Sequence, residues 1–282
     1  MLKTKRAAVI VLCMSLLLCM CVSVDAERAP LTVYVLDVGQ GDAVLMRTEQ
    51  GDILIDAGTE ASETYLCLRL EQLGVRRLKL AIFTHFDEDH IGGADGVLRH
   101  FPTECVWVGG GADTSEASGR LIRAIDETHT EMISASVGTR LSLGTLTLTV
   151  LFPFIPTIQE GNAAGLVVMA RFGRIQMLFM GDAEAEQESA IMERYSKPSL
   201  NADLYKVGHH GSQGASSEMF LQYVSPEYAV ISCGASNHYG HPAGMVLERL
   251  EVSGATVLRT DLLGELVFEC DGEHLICRSC SE

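Results

Sequence analysis

Four metal-binding side chains lie within six residues, directly after a run of apolar residues that predicts a buried strand at 78–84. They are His85, Asp87, Asp89 and His90. A solvated polar loop is the alternative interpretation, but histidines and carboxylates at this density are not core filler. In a tight loop the first two side chains can point to one side while the last two point to another, which suits two metal ions. The segment therefore predicts a dinuclear metal centre at the end of a rigid strand.

Further candidate residues follow other apolar runs. They are Asp182 after the run at 175–180, His209 and His210 after the run at 204–207, and His241 within Gly240-His241-Pro242. Asp182 can bridge two cations, although it can also cap the helix predicted at 184–195. Of two adjacent residues one commonly faces a given site, so we expect either His209 or His210 to be a ligand and the other to contact substrate. His241 is a candidate catalytic or phosphate-binding residue, with a structural turn histidine as the alternative.

Strand-like and helical patterns occur in two similar halves of the chain. Strands are predicted at 31–38, 43–48, 52–56, 78–84, 105–108, 146–152, 166–172, 175–180, 204–207, 228–232, 256–259, 263–269 and 274–277, and helices at 61–73, 91–100, 118–128, 184–195, 216–224 and 242–253. This order predicts an α/β fold of one domain at 27–282, with two mixed sheets packed face to face and helices outside. Each candidate residue follows a strand, so we expect them to meet on one rim.

Residues 1–26 have the pattern of a secretory signal, with a basic head, an apolar core at 7–24 and a small-residue cleavage site at 24–26. An uncleaved N-terminal membrane anchor is the alternative, since about 18 apolar residues just span a bilayer. In either case we expect the domain to be secreted or anchored to the outer face of the cell membrane. No later run of the sequence predicts a second membrane span.

The chain is strongly acidic. Its formal charge of −16 becomes −18 once the three basic residues and one acidic residue of the predicted signal are removed. The basic footprint typical of nonspecific nucleic-acid binding is therefore absent. A cluster of divalent cations reverses the local sign and can hold a phosphate on an acidic protein, so a nucleic-acid substrate stays open.

The sequence resembles the metallo-β-lactamase superfamily, and within it the hydrolase domain of ComEC-type DNA-uptake (competence) proteins. The motifs that carry the resemblance occur in order at 36–42, 54–58, 85–93, 181–182, 209–212 and 237–242. The resemblance implies a four-layer αββα sandwich and a hydrolase whose nucleophile is a metal-bound hydroxide.

The resemblance also implies roles for individual residues. The ligands of two divalent metal ions would be His85, Asp87, Asp89, His90, Asp182 and one of His209 and His210. Asp56 would support the ligand loop from behind, Asp89 would also orient the nucleophile or shuttle its proton, and Ser212 and Asn237 would contact substrate. Most of the superfamily has histidine at the position of Asp87. The exchange of a nitrogen for a hard oxygen makes Mn²⁺ a serious competitor to Zn²⁺.

This chain departs from the family pattern in one region. The superfamily usually supplies a further metal-binding histidine between the first motif and Asp182, but residues 130–180 contain none. ComEC-type relatives carry an Asn-x-Asn-Ser pattern there, whereas this chain reads Asn162-Ala-Ala-Gly165. We therefore expect the metal next to His85 to have few protein ligands and to bind weakly.

Three functions are compatible with these observations. The leading hypothesis is hydrolysis of a phosphodiester, including extracellular nucleic acid, because two cations suit in-line attack at phosphorus. The second is cleavage of a lactone, a β-lactam or a choline-phosphate ester by the same centre. The third is a metal-stabilised binding domain without turnover, which the missing asparagine and serine motivate. The sequence indicates neither an oligomeric state nor a membrane partner beyond the N-terminal segment.

Overall fold

The computed structural model describes residues 30–110, 114–155 and 164–279. The predicted signal at 1–26 and the family-pattern residue Asn162 lie outside these ranges. Within them, no helix combines the length and the hydropathy that crossing a membrane requires.

The described strands form two mixed sheets. The first has the order β15-β14-β1-β2-β3-β4-β5-β6, and its strands are β1 Leu31–Val35, β2 Val44–Thr48, β3 Gly51–Ile55, β4 Leu78–Phe83, β5 Cys105–Val108, β6 Glu131–Ser134, β14 Leu266–Cys270 and β15 Leu275–Cys277. The second has the order β13-β12-β11-β10-β9-β8-β7, with β7 Arg140–Leu143, β8 Leu146–Phe152, β9 Val167–Phe172, β10 Ile175–Phe179, β11 Leu204–Lys206, β12 Tyr228–Ile231 and β13 Thr256–Arg259.

Each sheet changes from antiparallel to parallel pairing near its middle. In the first sheet β15, β14, β1, β2 and β3 pair antiparallel, and β3 to β6 pair parallel. In the second, β7 to β10 pair antiparallel, and β10 to β13 pair parallel. Parallel strands all end at the same edge of a sheet, so each sheet gathers the loops that follow its parallel strands at one rim.

The described helices flank the two sheets. They are α1 Glu63–Gln72, α2 Glu88–Ile91, α3 Ala94–His100, α4 Glu116–Thr128, α5 Ala185–Arg194, α6 Lys197–Leu200, α7 Glu218–Val224, α8 Gly244–Val252 and α9 Thr260–Leu263. One apolar core lies between the sheets, a second lies between the first sheet and α1, α3 and α4, and a third lies between the second sheet and α5 to α8. The four-layer αββα sandwich expected from the sequence is therefore confirmed.

Strand β4 shows how the sequence produces these layers. Leu80 and Ile82 point into the core between the sheets, and Ala81 and Phe83 point into the core under the helices. A strand buried on both faces needs a continuous apolar run rather than an alternating one. Burying a Leu or Ile side chain contributes roughly 1.5–3 kcal/mol, so both faces of β4 hold the strand that leads into the candidate metal loop.

Several elements differ from the sequence expectation. Strands β6 and β7 were not predicted, because their side chains are mostly exposed or half-buried and give no apolar signal. The helix expected at 91–100 is split into α2 and α3 at Gly92 and Gly93, where a side chain on Gly92 would collide with the backbone at Glu60. The strand expected at 263–269 begins only at Leu266, because α9 occupies the residues before it.

Candidate metal centre

The candidate ligands lie on loops that follow parallel strands of both sheets. Asp56 and His85 follow β3 and β4 of the first sheet, and Asp182 and His209 follow β10 and β11 of the second. The face-to-face packing of the sheets brings these loops together. Sequence positions more than a hundred residues apart thus form one cluster.

The turn Gly208–Gly211 presents two adjacent histidines to that cluster. His209 and His210 both have left-handed backbone, with φ angles of 47° and 51°. The backbone N–H of His209 donates to the carbonyl of Gly181 over 3.0 Å, which ties the turn to the loop that carries Asp182. Two successive left-handed residues do not alternate their side chains as residues of a strand do. Both imidazoles therefore face Asp182, whereas we expected only one of them to do so.

The carboxylate of Asp182 divides the four histidines into two pairs. Its Oδ1 lies 3.0 Å from His90 Nε2 and 3.7 Å from His210 Nε2. Its Oδ2 lies 3.7 Å from His85 Nε2 and 3.5 Å from His209 Nε2. Asp182 itself is buried. We call these two groups the Oδ1 side and the Oδ2 side of the centre.

Asp87 and Asp89 of the ligand loop lie on opposite sides of the centre. Asp87 Oδ2 lies 3.6 Å from His85 Nε2, on the Oδ2 side, and the Asp87 side chain is 45% exposed. Asp89 Oδ2 lies 3.2 Å from His210 Nε2, on the Oδ1 side. The loop therefore separates its candidate ligands in the way expected from their spacing, and the partner of Asp89, His210, comes from the second sheet.

Hydrogen bonds behind the ligand loop fix the tautomers of its two histidines. His90 Nδ1 donates to Asp56 Oδ2 over 2.9 Å, because a carboxylate only accepts. Thr84 gives its hydroxyl proton to the same oxygen over 2.8 Å, so Thr84 Oγ1 accepts from His85 Nδ1 over 3.0 Å. Thr84 also donates its backbone N–H to Asp56 Oδ1 over 2.7 Å. Both histidines therefore keep a free lone pair on Nε2, the atom that faces Asp182.

The histidines of the second sheet are fixed in the same way. His210 Nδ1 donates to the backbone carbonyl of Ser232 over 2.9 Å. His209 Nδ1 donates to Glu184 Oε1 over 2.8 Å. In their neutral forms all four imidazoles would present Nε2 lone pairs toward a carboxylate that also carries lone pairs. Such an arrangement is repulsive unless cations lie between the two sets of atoms.

The residues present fit divalent cations. Four buried atoms of this cluster have no hydrogen-bond partner among the described residues, and they are His85 Nε2, His90 Nε2, His210 Nε2 and Asp182 Oδ1. An unpaired buried polar atom costs about 1–3 kcal/mol, so four of them in one place indicate a ligand. Ligand atoms of His85, His90 and Asp182 lie within 4.8 Å of one another, as do those of Asp89, His90 and His210.

Protons take the place of cations in the metal-free chain. Burial opposes the charged imidazole of His90, but the carboxylates of Asp182 and Asp56 raise its pKa well above the ordinary range. Burial also opposes charge on His210, and Asp182 and Asp42 raise its pKa to about 9. For Asp182 the neighbouring His90 and His210 overcome burial and hold its pKa well below the ordinary range. Metal binding must therefore release protons.

A buried ion pair between Asp42 and Lys206 lies next to His210. Asp42 Oδ1 lies 3.4 Å from His210 Nδ1, and Asp42 Oδ2 lies 2.8 Å from Lys206 Nζ. Both Lys206 and Asp42 are buried. Burial raises the pKa of Asp42, yet Lys206 and His210 lower it further and hold it below the ordinary value. Asp42, Asp56 and His90 form a third group of potential ligand atoms. The negative charges of its two carboxylates are balanced by Lys206, His210 and His90.

Ser212, Asn237 and His241 lie on the His209 side of the centre, where Ser212 is buried and the other two are half-buried. Ser212 Oγ donates to Glu184 Oε1 over 2.7 Å. Asn237 accepts the backbone N–H of His241 over 3.0 Å and donates to the carbonyl of His241 over 2.6 Å, so it braces the loop that carries this histidine. The His241 ring lies 5.4 Å from that of His209 between centroids. Burial and the two nearby histidines lower the pKa of His241, which is therefore neutral at pH 7.

A cavity of about 420 Å³ opens beside Asp87 and Asp89. Its lining consists of Gln40, Thr59, Phe86, Asp87, Glu88, Asp89, Ser115 and Tyr239. Tyr239 is 71% exposed and its ring stacks on that of His241, with centroids 5.7 Å apart and an interplanar angle of 24°. The lining contains three acidic residues and neither lysine nor arginine, so an anion in this cavity depends on bound cations for its attraction.

Sequence reasoning missed four residues of the centre: Thr84, Asp42, Glu184 and Lys206. Asp42 lies inside the motif at 36–42, and Thr84 directly precedes the motif at 85–93. The sequence did not indicate which residues they contact. Glu184 reads as the first turn of a helix, and Lys206 as a surface residue at a strand end. Their contacts are tertiary: Glu184 contacts His209, whereas Lys206 pairs with Asp42, which in turn lies beside His210.

Comparisons with known proteins show what the chain is similar to. A family model described as the metallo-beta-lactamase superfamily matches residues 36–235. The ComE operon protein 3 of Bacillus subtilis is 31% identical over 266 residues, which cover 88% of this chain and 33% of that protein. Competence protein ComA of Neisseria gonorrhoeae is 33% identical over 253 residues, which cover 87% of this chain and 33% of that protein. The chain thus spans about a third of the length of these curated relatives.

A solved structure has the same fold. The metallo-beta-lactamase fold protein YhfI of Bacillus subtilis superposes with a TM-score of 0.57, covering 86% of this chain and all of that chain, 100%, at 16% sequence identity. This similarity carries information on architecture alone.

Proposed function

Because the chain belongs to the metallo-beta-lactamase superfamily and is similar to ComEC-type competence proteins, we propose that it is a metal-dependent hydrolase of phosphodiester bonds. We propose nucleic acid as its substrate class and two divalent cations as its cofactors. We also propose that residues 1–26 direct the domain out of the cytoplasm, where it is secreted or stays anchored to the outer face of the membrane.

The observation that carries the proposal is the convergence of four imidazole Nε2 atoms on the Asp182 carboxylate. The Oδ1 side would hold a cation through His90, His210, Asp89 and Asp182, and the Oδ2 side through His85, Asp87 and Asp182. Two such cations lower the pKa of a bound water and neutralise charge that develops on the oxygens around phosphorus. The mixture of nitrogen and carboxylate oxygen ligands suits Mn²⁺ as well as Zn²⁺.

The chain's own residues supply positioning and proton transfer. The Asp89 carboxylate lies between His210 and the cavity, so it can hold the proton of an attacking water. His241 is neutral near pH 7 because its pKa is lowered, and it can therefore accept a proton or donate a hydrogen bond to a substrate oxygen. Tyr239 offers an exposed ring at the cavity wall on which a nucleobase can stack.

Two features support a phosphodiester over a neutral ester. The cavity wall is acidic, so the cations are the source of attraction and a substrate that carries negative charge at the reacting centre gains most from them. The curated relatives are named for competence and for recombination, and both names concern DNA. The chain corresponds to about a third of the length of each relative. That it acts on DNA is therefore our proposal for this chain.

The test is a substrate panel. The purified chain, loaded with Mn²⁺ or Zn²⁺, is assayed against bis-p-nitrophenyl phosphate, single-stranded DNA and nitrocefin, with the chelator-treated chain as the control. We expect metal-dependent cleavage of the two phosphodiesters. Turnover of nitrocefin alone would replace the proposal with β-lactam hydrolysis. Two bound ions without turnover of any substrate would instead identify a metal-stabilised binding domain.

A further inference from the structure

We infer that His209 is a ligand of the metal ion on the Oδ2 side and that the Glu184 carboxylate positions it. The inference rests on the two-metal centre of the proposed function. It goes beyond that proposal because it assigns both adjacent histidines, one to each metal, and adds a residue that no sequence motif indicated.

The Oδ2 side lacks a ligand without His209. It would otherwise hold a cation through one buried histidine, the half-exposed Asp87 and a shared carboxylate, whereas the Oδ1 side has two buried histidines. Residues 130–180 contain no histidine. A residue from another part of the chain is needed to balance the two sides.

The position of His209 meets that need. Its Nε2 lies 3.5 Å from Asp182 Oδ2, the same oxygen that lies 3.7 Å from His85 Nε2. Two ligand atoms bound to one cation at about 2.1 Å each lie roughly 3.0–3.5 Å apart. Direct hydrogen bonds would instead be shorter than 3.2 Å. The His209 separation lies at the upper end of the range for a shared ion and the His85 separation lies just above it, and both are too long for a direct hydrogen bond.

Glu184 fixes the orientation of His209. Because its Oε1 accepts from His209 Nδ1 over 2.8 Å, the Nε2 lone pair is the one that faces Asp182. The same oxygen accepts from Ser212 Oγ over 2.7 Å, which holds the carboxylate in place. This arrangement repeats, on the second sheet, the pairing of Asp56 with His90 on the first. A carboxylate that accepts from the far nitrogen of a ligating histidine both orients it and increases its basicity.

The surrounding backbone is shaped around the Glu184 side chain. A Cβ atom on Gly214 would lie 2.5 Å from Glu184 Oε2, so only glycine leaves room for this carboxylate. Ala185 donates its backbone N–H to the carbonyl of Gly214 over 3.0 Å. Glu184 also donates its own backbone N–H to Gln187 Oε1 over 3.0 Å at the start of α5. These contacts locate Glu184 independently of His209, as a positioning residue requires.

The experiment measures metal binding rather than turnover. Equilibrium dialysis against Zn²⁺ and against Mn²⁺, followed by elemental analysis, is carried out on the full chain and on His209→Ala, Glu184→Gln and Glu186→Gln. Glu186 is an exposed neighbour on the same helix, so its variant is the matched control. The absorption spectrum of the Co²⁺-loaded proteins adds a second readout, since it reports the number of nitrogen ligands.

We expect two equivalents in the full chain and in the control. In His209→Ala one equivalent should bind with unchanged affinity and the other about 10- to 100-fold more weakly or not at all, and Glu184→Gln should weaken the same equivalent by a smaller factor within that range. Unchanged binding of two equivalents in His209→Ala would overturn the assignment, and so would a full chain that binds no metal. Two equivalents in the full chain without phosphodiester cleavage would refute the proposed function alone.

Discussion

The Nδ1 atom of His90 donates a hydrogen bond to Asp56 Oδ2 over 2.9 Å, and both side chains are buried. The same carboxylate accepts two hydrogen bonds from Thr84. The aspartate that follows β3 thereby orients the two ends of the ligand loop, and it does so from a left-handed backbone with φ of 57°.

Replacing Asp56 with asparagine is a sharp test of this role. Asparagine also tolerates left-handed backbone, and its single side-chain oxygen can still accept a hydrogen bond from Thr84. Its NH₂ group cannot accept, so the hydrogen bonds from Thr84 and from His90 cannot all be kept. We expect Asp56→Asn to weaken metal binding by about 10- to 100-fold, measured by dialysis. Asp126→Asn, an exposed change on α4, is the control. An affinity equal to that of the control would contradict a supporting role for Asp56.

Removal of a ligand should remove metal. We expect Asp182→Ala and His85→Ala to abolish phosphodiesterase activity and to lose at least one metal equivalent, because Asp182 faces both sides and His85 is buried on the Oδ2 side. Elemental analysis of the purified variants checks the prediction. His274→Ala removes an imidazole that is 75% exposed and should leave both quantities unchanged. Full metal content in both test variants would refute the ligand assignment.

His241 should matter for rate rather than for metal. Its ring contacts those of His209 and Tyr239. Among the described residues no close ion pair joins its imidazole to Asp182, whereas His209 Nε2 lies 3.5 Å from Asp182 Oδ2. We expect His241→Ala to keep its metal content and to lose activity by about 10²- to 10⁴-fold, the usual range for a lost proton-transfer group. The measurement pairs steady-state rates with elemental analysis. Loss of metal together with rate would reassign His241 to the ligand set.

The metal-free chain should become less stable as the pH rises. The folded-state pKa of His90 lies well above its unfolded value, and that of His210 lies at about 9 against 6.5. Stabilisation from raised pKa values is fully present below the unfolded pKa and is lost as the pH passes through the folded value. We expect the free energy of unfolding of the chelator-treated chain, measured in urea, to fall between about pH 6.5 and 9.

The metal-loaded chain provides the opposite control. Because metal displaces these protons, its binding should strengthen over the same pH range. The stability of the loaded chain should therefore not fall where that of the metal-free chain does. A metal-free chain whose stability stays flat from pH 6.5 to 9 would show that the two imidazoles do not carry protons in the folded state.

Binding of single-stranded DNA should depend only weakly on salt. Proteins that neutralise phosphates with lysine and arginine lose affinity steeply as salt rises, but the cavity lining has neither residue. We expect the KM for single-stranded DNA to change little with salt concentration. We also expect Tyr239→Ala to raise KM and Tyr239→Phe to leave it unchanged, because stacking needs only the ring. A steep salt dependence would instead locate a basic binding surface elsewhere on the chain.

Most of the core strands and helices could be predicted from the sequence. Apolar runs predicted β4 and β10, and the residues that follow them, His85 and Asp182, were recognised as ligand candidates because their types and spacing are chemically specific. The edge strands β6 and β7 escaped prediction, since exposed strands need no apolar pattern. Local sequence thus indicated the elements that build the core and the residues that carry chemistry.

The partners of those residues were beyond local sequence. That His209 and His210 both face Asp182 depends on two successive left-handed residues, which no propensity predicts. The contact of Glu184 with His209 joins the start of α5 to a turn that follows β11, across 25 positions of the sequence. Such contacts follow from how the two sheets end at one rim, so they become visible only once the sheets are assembled.

The shared carboxylate of Asp182 links the occupancy of the two sides. In the proposed two-metal centre a first cation would displace protons and fix the carboxylate, and its charge would repel a second cation a short distance away. The second ion would then be taken up at a higher free concentration than the first. A population of these molecules would pass through a mononuclear stage as metal is added, and the fraction with both ions would follow the metal supply around the protein.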